Sequence, residues 1–305
     1  MMFKNKLNKR KKENIWIHIV LIIAVIFVCF PLIFTVIKST QSLVEVTTPS
    51  LKIGSSFLSN INQIWNQYHM HTYMMNSLFY AFVITLGKVI LSLFAANALV
   101  FYKFRFKKII FGFIILTLMF PIEILILGLF EVVSNAPASN FKEFLFWIIN
   151  PIELLFAPTR YGLGIGDTKA AIILPFLASA TGVFLFRQHF LSIPITICDA
   201  AKIDGVNSFQ FVSKILVPMS INTIGALTLI QFVYIWDQYI WPRIIIQHDN
   251  AQVIQVGLNA IQSAGDSISW NLVMTGAIVT IIPPLIVFSL LYSSFMKGYA
   301  LSSNK

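Results

Sequence analysis

Charged side chains are scarce in this chain. They make up 11% of its 305 residues, where a soluble domain carries roughly 25%. That shortfall, with 57% hydrophobic residues and 28 Phe, excludes an ordinary water-soluble fold. Cysteine is nearly missing as well: Cys29 lies in an apolar run and Cys198 in a polar stretch, so no disulfide framework is expected. No phosphate-cradling loop is present either. Gly87-Lys88 is followed by Val89, and Phe82 stands where Gly-x4-Gly-Lys-Ser/Thr needs glycine. The glycines at 162, 164 and 166 lack the third spacing of a dinucleotide loop and precede an apolar run rather than follow a strand. The five histidines show no metal spacing, His69 and His71 reading as solvated neighbours, and no nucleophile–base pair stands out. The expectation is a chain without a catalytic site, bound cofactor or metal.

What is present is length in apolar runs. Six of them are about long enough to cross ~30 Å of hydrocarbon as helices: Trp16–Ile37, Met74–Phe101, Ile109–Phe130, Lys169–Phe186, Ile221–Ile240 and Leu272–Phe295. The fold class expected is therefore all-α, a polytopic membrane protein in contact with lipid and with no room for a second sizeable soluble domain. The first run follows a basic tail, residues 1–14, in the manner of a signal peptide. Its apolar core is too long and no small-residue cleavage pattern follows, so an uncleaved helix is expected, with an external loop completing residues 15–71. The net charge of +10 does not point to nucleic acid, because the positives cluster in short loops between apolar runs.

Those positives predict orientation. With the tail inside, six crossings place fifteen basic residues in the cytoplasm, including Lys103, Arg105, Lys107, Lys108, Arg187, Lys202 and Lys214, against six outside. This bias predicts both termini inside. The stretch Phe144–Ala157 competes for a seventh span, but it is about 14 residues long and contains Pro151 and Glu153. Such a length suits an interfacial or re-entrant segment, and a crossing there would export the loop at 187–219 and destroy the bias.

That loop reads as a helix–turn–helix on the inner membrane face. Pro194 fits a helix's first turn, and Asp204-Gly205 is a turn signal in which glycine is free to take a positive φ. Ala200 and Ala201 make the first helix slim enough for a partner's groove to approach its backbone. Phe209, Val212 and Leu216 form an apolar stripe at helical spacing, with Phe211 and Ile215 beside it. Taken alone, this description fits many surface-lying connectors.

The literal residues are more specific. Asp199-Ala200-Ala201, then Asp204-Gly205, then an apolar stretch ending at Pro218 resembles the Glu-Ala-Ala motif of bacterial ABC importer permeases. Asp199 replaces the usual Glu, and a second downstream Pro is absent near Asn222-Thr223. Further along, Asn76-Ser77, Pro121-Ile122-Glu123, Phe184-Leu185-Phe186-Arg187-Gln188 and Trp236 through Pro242 are similar to the carbohydrate-uptake permeases, in particular those of the sn-glycerol-3-phosphate importer type. The resemblance covers roughly residues 76–130 and 172–299, while residues 133–161 depart from it and read as an external insertion. It implies a type I importer permease fold over residues 72–300, with loop 187–219 docking in a cleft of a separate ATPase. The implied partners are a homologous second permease, two ATPase subunits that use ATP and Mg, and an external solute-binding protein. The implied cargo is sn-glycerol-3-phosphate or a related glycerophosphodiester, with a sugar or oligosaccharide as the alternative. An ion-coupled secondary transporter would show paired broken helices or buried carboxylates, and a membrane enzyme would show clustered His or Asp; neither pattern is evident.

Polar residues within the runs complete the candidate sites. Lys88, mid-span, either faces the pathway, where a cation would favour a phosphate ester, or faces a helix partner or the inner interface. Glu123 after Pro121 belongs either to a gate or to helix packing or loop-edge solvation. Trp236, Asp237, Gln238 and Tyr239 form either an interfacial belt or an outer gate whose rings stack on polyol carbons. Pro283-Pro284 predicts a kink in the last span.

Overall fold

The computed structural model describes residues 2–134, 162–263 and 268–303, and contains no β-strand among them. Two compact units emerge: one combines residues 1–70 with 257–281, the other residues 71–256 with 282–305. The insertion at 135–161, with Phe144–Ala157, lies outside the described residues.

In the first unit, α1 (Met2–Ser39) is exposed at every residue from Trp16 to Val28. A helix apolar on all sides and uncovered by its own chain is suited to lipid. Its far end is tied down by polar groups. Lys38 is only 4% exposed, and its ammonium donates to the carbonyls of Val46, Thr48 and Ser50 at 3.2, 2.8 and 3.1 Å. All three protons of a lysine therefore find acceptors, and the short helix α2 (Leu43–Val46) with its Ser42–Glu45 capping box is folded back onto the end of α1. From α3 (Phe57–Gln67), buried Asn60 donates to Ser39 and Gln41 carbonyls at 3.0 and 2.9 Å and accepts from Asn271 at 2.9 Å.

The second unit is built around α4 (Met70–Phe101), whose 32 residues reach about 48 Å, more than a bilayer core requires. The third apolar run does not form one helix. It divides into α5 (Lys107–Thr117) and α6 (Ile122–Ser134), because Pro121 has no N–H to continue the ladder. The fourth run likewise breaks into α7 (Lys169–Ile173), a 3-10 turn at Leu174–Phe176, and α8 (Ala180–Leu191), capped by the Ser179 hydroxyl. Then follow α9 (Ile195–Ile203), α10 (Ser208–Met219), α11 (Ile221–Trp236) and α12 (Ile240–Ile245). Helices α10 and α11 meet at an angle of 79°. The chain ends with α13 (Ile254–Ser263) and α14 (Trp270–Ser303), which runs through Pro283 and Pro284 as one helix. The Pro pair at which a kink is expected thus lies inside a continuous helix.

Small residues set the closest approaches, as is usual between membrane helices. A Cβ on Gly182 of α8 would run into the Ser92 side chain of α4, and one on Gly87 into Leu177. Around the first contact sits a buried apolar cluster of Val89, Leu93 and Ala96 from α4, Phe186 and Phe190 from α8, Val212 and Leu216 from α10, and Leu227 from α11.

Candidate functional site

Loop 187–219 takes the helix–turn–helix form that its residues predict. Helix α9 ends because Gly205 adopts φ +68°, a conformation that costs other residues roughly 1–2 kcal/mol. The Val206 N–H donates to the Ala201 carbonyl at 3.0 Å, and the Asp204 N–H to Ala200 at 2.9 Å. A six-to-one bond closing over a left-handed glycine is a Schellman cap. A Cβ on Gly205 would meet nothing within 4 Å, so glycine is required by backbone conformation alone. Asn207 then starts α10 through a reciprocal capping box with Gln210.

The faces of α9 divide cleanly. Cys198 and Ala201 point inward, at 4% and 5% exposure, while Asp199, Ala200, Ile195 and Ile203 point outward. Only Ala200 of the two alanines offers a slim outer surface, since Ala201 is used for packing within the chain. Ile195 and Ile203 are 70% and 86% exposed. The stripe on α10 is also divided: Val212 and Leu216 enter the buried cluster, Phe211 packs at its edge, and Phe209 stays exposed. Between them the helix widens into a π turn over Phe211–Leu216, the kind of irregularity that recurs at functional positions. At the bend after Met219, the ring Nε2 of His189 lies 3.2 Å from the Met219 carbonyl, tying the end of α8 to the elbow.

The candidates within the apolar runs are placed as follows. Lys88 is 4% exposed; its ammonium donates to Gln231 Oε1 of α11 at 2.7 Å and lies 4.8 Å from the centre of the Tyr234 ring. This is the helix-partner arrangement. The Glu123 side chain lies outside what is described. Trp236 is buried and stacked on Phe232 at 5.9 Å, and Trp241 is buried with its indole N–H donating to Ala171 at 3.1 Å. Both indoles pack within the chain rather than standing in a lipid-facing belt. Asp237 is exposed, and Gln238 and Tyr239 are half-buried.

Residues not singled out as site candidates fasten the segment after α12. Asn76 donates to the carbonyls of Asn250 and Gln252 at 2.7 and 3.0 Å, Tyr80 donates to Ala251 at 2.9 Å, and the Ser77 hydroxyl accepts the Ile254 N–H at 2.8 Å. Asp167, at φ +58°, accepts the N–H groups of Gln247 and His248 at 2.8 and 3.2 Å and pairs with the His248 ring. The Gln247 N–H above all holds the Asp167 carboxyl below the usual carboxylate range. The signal available in sequence was a polar Asn-Ser pair one turn into an apolar helix, where unsatisfied amides are costly.

Among the described residues the most exposed large apolar side chain is Ile203, on the capped helix α9. The chain belongs to the family described as binding-protein-dependent transport system inner membrane components, which it matches over residues 88–299. It is 33% identical over 302 residues to the sn-glycerol-3-phosphate transport system permease protein UgpE of Rhizobium meliloti (strain 1021), covering 96% of this chain and 98% of that protein. It is 31% identical over 301 residues to the protein of the same name from Salmonella typhimurium, with the same coverage. In fold it is similar to a bacterial ABC transporter involved in the import of the acidic polysaccharide alginate, with a TM-score of 0.72 at 19% identity over 92% of this chain and 96% of that one. The chain is a permease subunit of a bacterial ABC importer, a multi-pass protein of the inner membrane.

Proposed function

We propose that this permease carries sn-glycerol-3-phosphate or a related glycerophosphodiester into the cytoplasm, and that α9 is the element through which a separate ATPase drives it. The observation that carries the coupling role is the outward face of α9. Ile195 and Ile203 stand exposed on a helix outside the apolar spans, beside Asp199, Ala200, Asp204 and Gly205, and apolar side chains presented together on one helix face are a surface a partner can cover. The substrate rests on the two relatives named above.

The topology of this reading has six crossings with both termini in the cytoplasm. Helices α1, α4 and α14 cross singly, Lys169–Leu191 crosses as α7 with α8, and α11 crosses with α10 lying at 79° to it; α5 with α6 supply the remaining crossing of this reading. The partners are a second homologous permease, two ATPase subunits that bind ATP and Mg, and an external solute-binding protein. This chain contributes no catalytic group or cofactor. Closure of the ATPases draws the α9 helices together. Because Val212 and Leu216 share a buried cluster with α4, α8 and α11, that displacement is passed into the membrane and switches the pathway from inward-open to outward-open. Lys88 holds α4 to α11 during this movement, with Trp236, Asp237, Gln238 and Tyr239 at the outer end of α11 nearest the pathway mouth.

The test is uptake into proteoliposomes holding the assembled importer, with binding protein outside and ATP within. Labelled sn-glycerol-3-phosphate is expected to accumulate only with ATP. Accumulation of an oligosaccharide instead would favour the second reading, which the likeness to the alginate importer supports. Uptake driven by an ion gradient without ATP would overturn the coupling role. In the same complex, Ile203→Asp is expected to leave the chain folded and to lose the ATPase on copurification; retention of the ATPase with full uptake would count against α9 as the docking element.

A further inference from the structure

Between α4 and α5 the chain reads Tyr102-Lys103-Phe104-Arg105-Phe106-Lys107-Lys108-Ile109, and it is folded into an open cleft of about 500 Å³ lined by Tyr102, Lys103, Phe104, Arg105, Lys107, Lys108 and Ile109. It brings four cations together with no acidic residue among residues 102–109. The cations differ in freedom. Lys107 is held by the carbonyls of Val100 and Tyr102 at 2.9 and 3.2 Å, whereas Lys103, Arg105 and Lys108 are exposed. The frame is fixed at its base: Tyr102 donates to the Ser208 hydroxyl at 2.9 Å, and Phe101 meets Phe211 edge-to-face at 5.3 Å. Helix α5 begins here with no side-chain cap and no acidic residue in its first turn, so its leading N–H groups add to the positive potential.

Both flanking helices carry exposed apolar side chains beyond the cleft-lining Ile109: Ile90, Leu91 and Phe94 on α4, and Ile110 and Phe113 on α5. A ligand in the cleft is thus anionic at one end and continuous with hydrocarbon at the other. We infer that the cleft between α4 and α5 binds the phosphate headgroup of an anionic phospholipid in the inner leaflet, its acyl chains lying along α4 and α5. Orientation alone needs only that these positives exist in the loop; it needs neither a concave arrangement nor a lysine locked by two carbonyls. The assignment of leaflet rests on the six-crossing topology proposed above.

The test uses the assembled importer, solubilised from membranes containing phosphatidylglycerol and phosphatidylcholine and examined by native mass spectrometry. The intact complex is expected to retain phosphatidylglycerol in preference. Lys103→Gln with Arg105→Gln and Lys108→Gln is expected to lower that retention roughly a hundredfold, since each cation near an anionic headgroup adds a several-fold attraction. The charge-keeping set Lys103→Arg, Arg105→Lys and Lys108→Arg is expected to retain it. Equal retention by the neutral variant overturns the site, as does equal loss in the charge-keeping one. Displacement by inorganic phosphate would assign the cleft to a soluble anion, and loss of the ATPase with unchanged lipid would assign it to a protein surface; either result overturns the lipid. Labelling of Lys103→Cys by an impermeant maleimide is expected only from the cytoplasmic side. Labelling from outside would overturn the leaflet while leaving the lipid contrast to stand or fall by itself.

Discussion

Two segments of the larger unit are held in opposite ways. The segment 245–254 is fastened by side chains from distant elements: Asn76, Ser77 and Tyr80 of α4 satisfy its backbone, Asp167 clasps its start, and Trp241 just before it reaches Ala171. The α9 segment is closed by its own backbone cap at Gly205 and turns two large apolar residues outward. A backbone held by side chains from α4 and by Asp167 moves only with them, while on the proposed coupling role a helix with a glycine cap and one packed face keeps its outer surface for a partner. In that role, the contrast separates a fixed part of the transporter from the part that receives force.

The sharpest way to break it is at Gly205. Proline there demands φ near −65° where the chain has +68°, so Gly205→Pro is expected to reduce ATP-coupled uptake to background in an otherwise assembled complex. Gly205→Ala is expected to cost about 1 kcal/mol and to spare most uptake. If Gly205→Pro transports normally, α9 is not the coupling element.

At the fastened end, Asn76→Leu deletes two hydrogen bonds and strands the Asn250 and Gln252 carbonyls, which is expected to destabilise by about 2 kcal/mol. Tyr80→Phe, deleting one, is expected to cost about 1 kcal/mol. Thermal unfolding in detergent reads both. The ratio of transport to ATP hydrolysis is expected to hold, and a change in that ratio without a change in stability would erase the distinction between the two segments.

Lys88 lies between these extremes. Lys88→Met combined with Gln231→Leu replaces a buried polar pair by apolar groups of similar volume, and stability is expected to stay within about 1 kcal/mol. Uptake is expected to persist; its selective loss for a phosphate ester in a stable protein would place Lys88 in the pathway.

The smallest effect is at Asp167. A carboxyl whose folded pKa is depressed stabilises above its unfolded value, near pH 4, and that contribution fades as pH falls through the lower folded value. The melting temperature between pH 3 and 6 is expected to fall more steeply with acidity in the parent than in Asp167→Asn.

The loop around Asp199–Gly205 was legible because its signals are local: an Asp-Gly turn and a helical apolar stripe. Nothing local shows that Ala201 faces inward while Ala200 faces out, because that depends on what α9 packs against. The break in the third apolar run was partly legible at Pro121, yet Pro283-Pro284 is carried within α14 as one helix. Proline removes one donor, and the surroundings decide whether the helix continues. The roles of Asn76 and Asp167 depend on backbone about 80 to 176 residues away, a distance over which sequence pattern carries no register.

The π turn of α10 has a further consequence. Such a turn is how a helix accommodates one additional residue without unwinding, and one residue is about 100° of rotation. The segment before Phe211 and the segment after Leu216 are therefore not obliged to share a common phase. In a comparison among relatives, a single-residue gap within 211–216 could be absorbed without rotating either α9 or α11, which makes this stretch the natural place for lineages to differ in length.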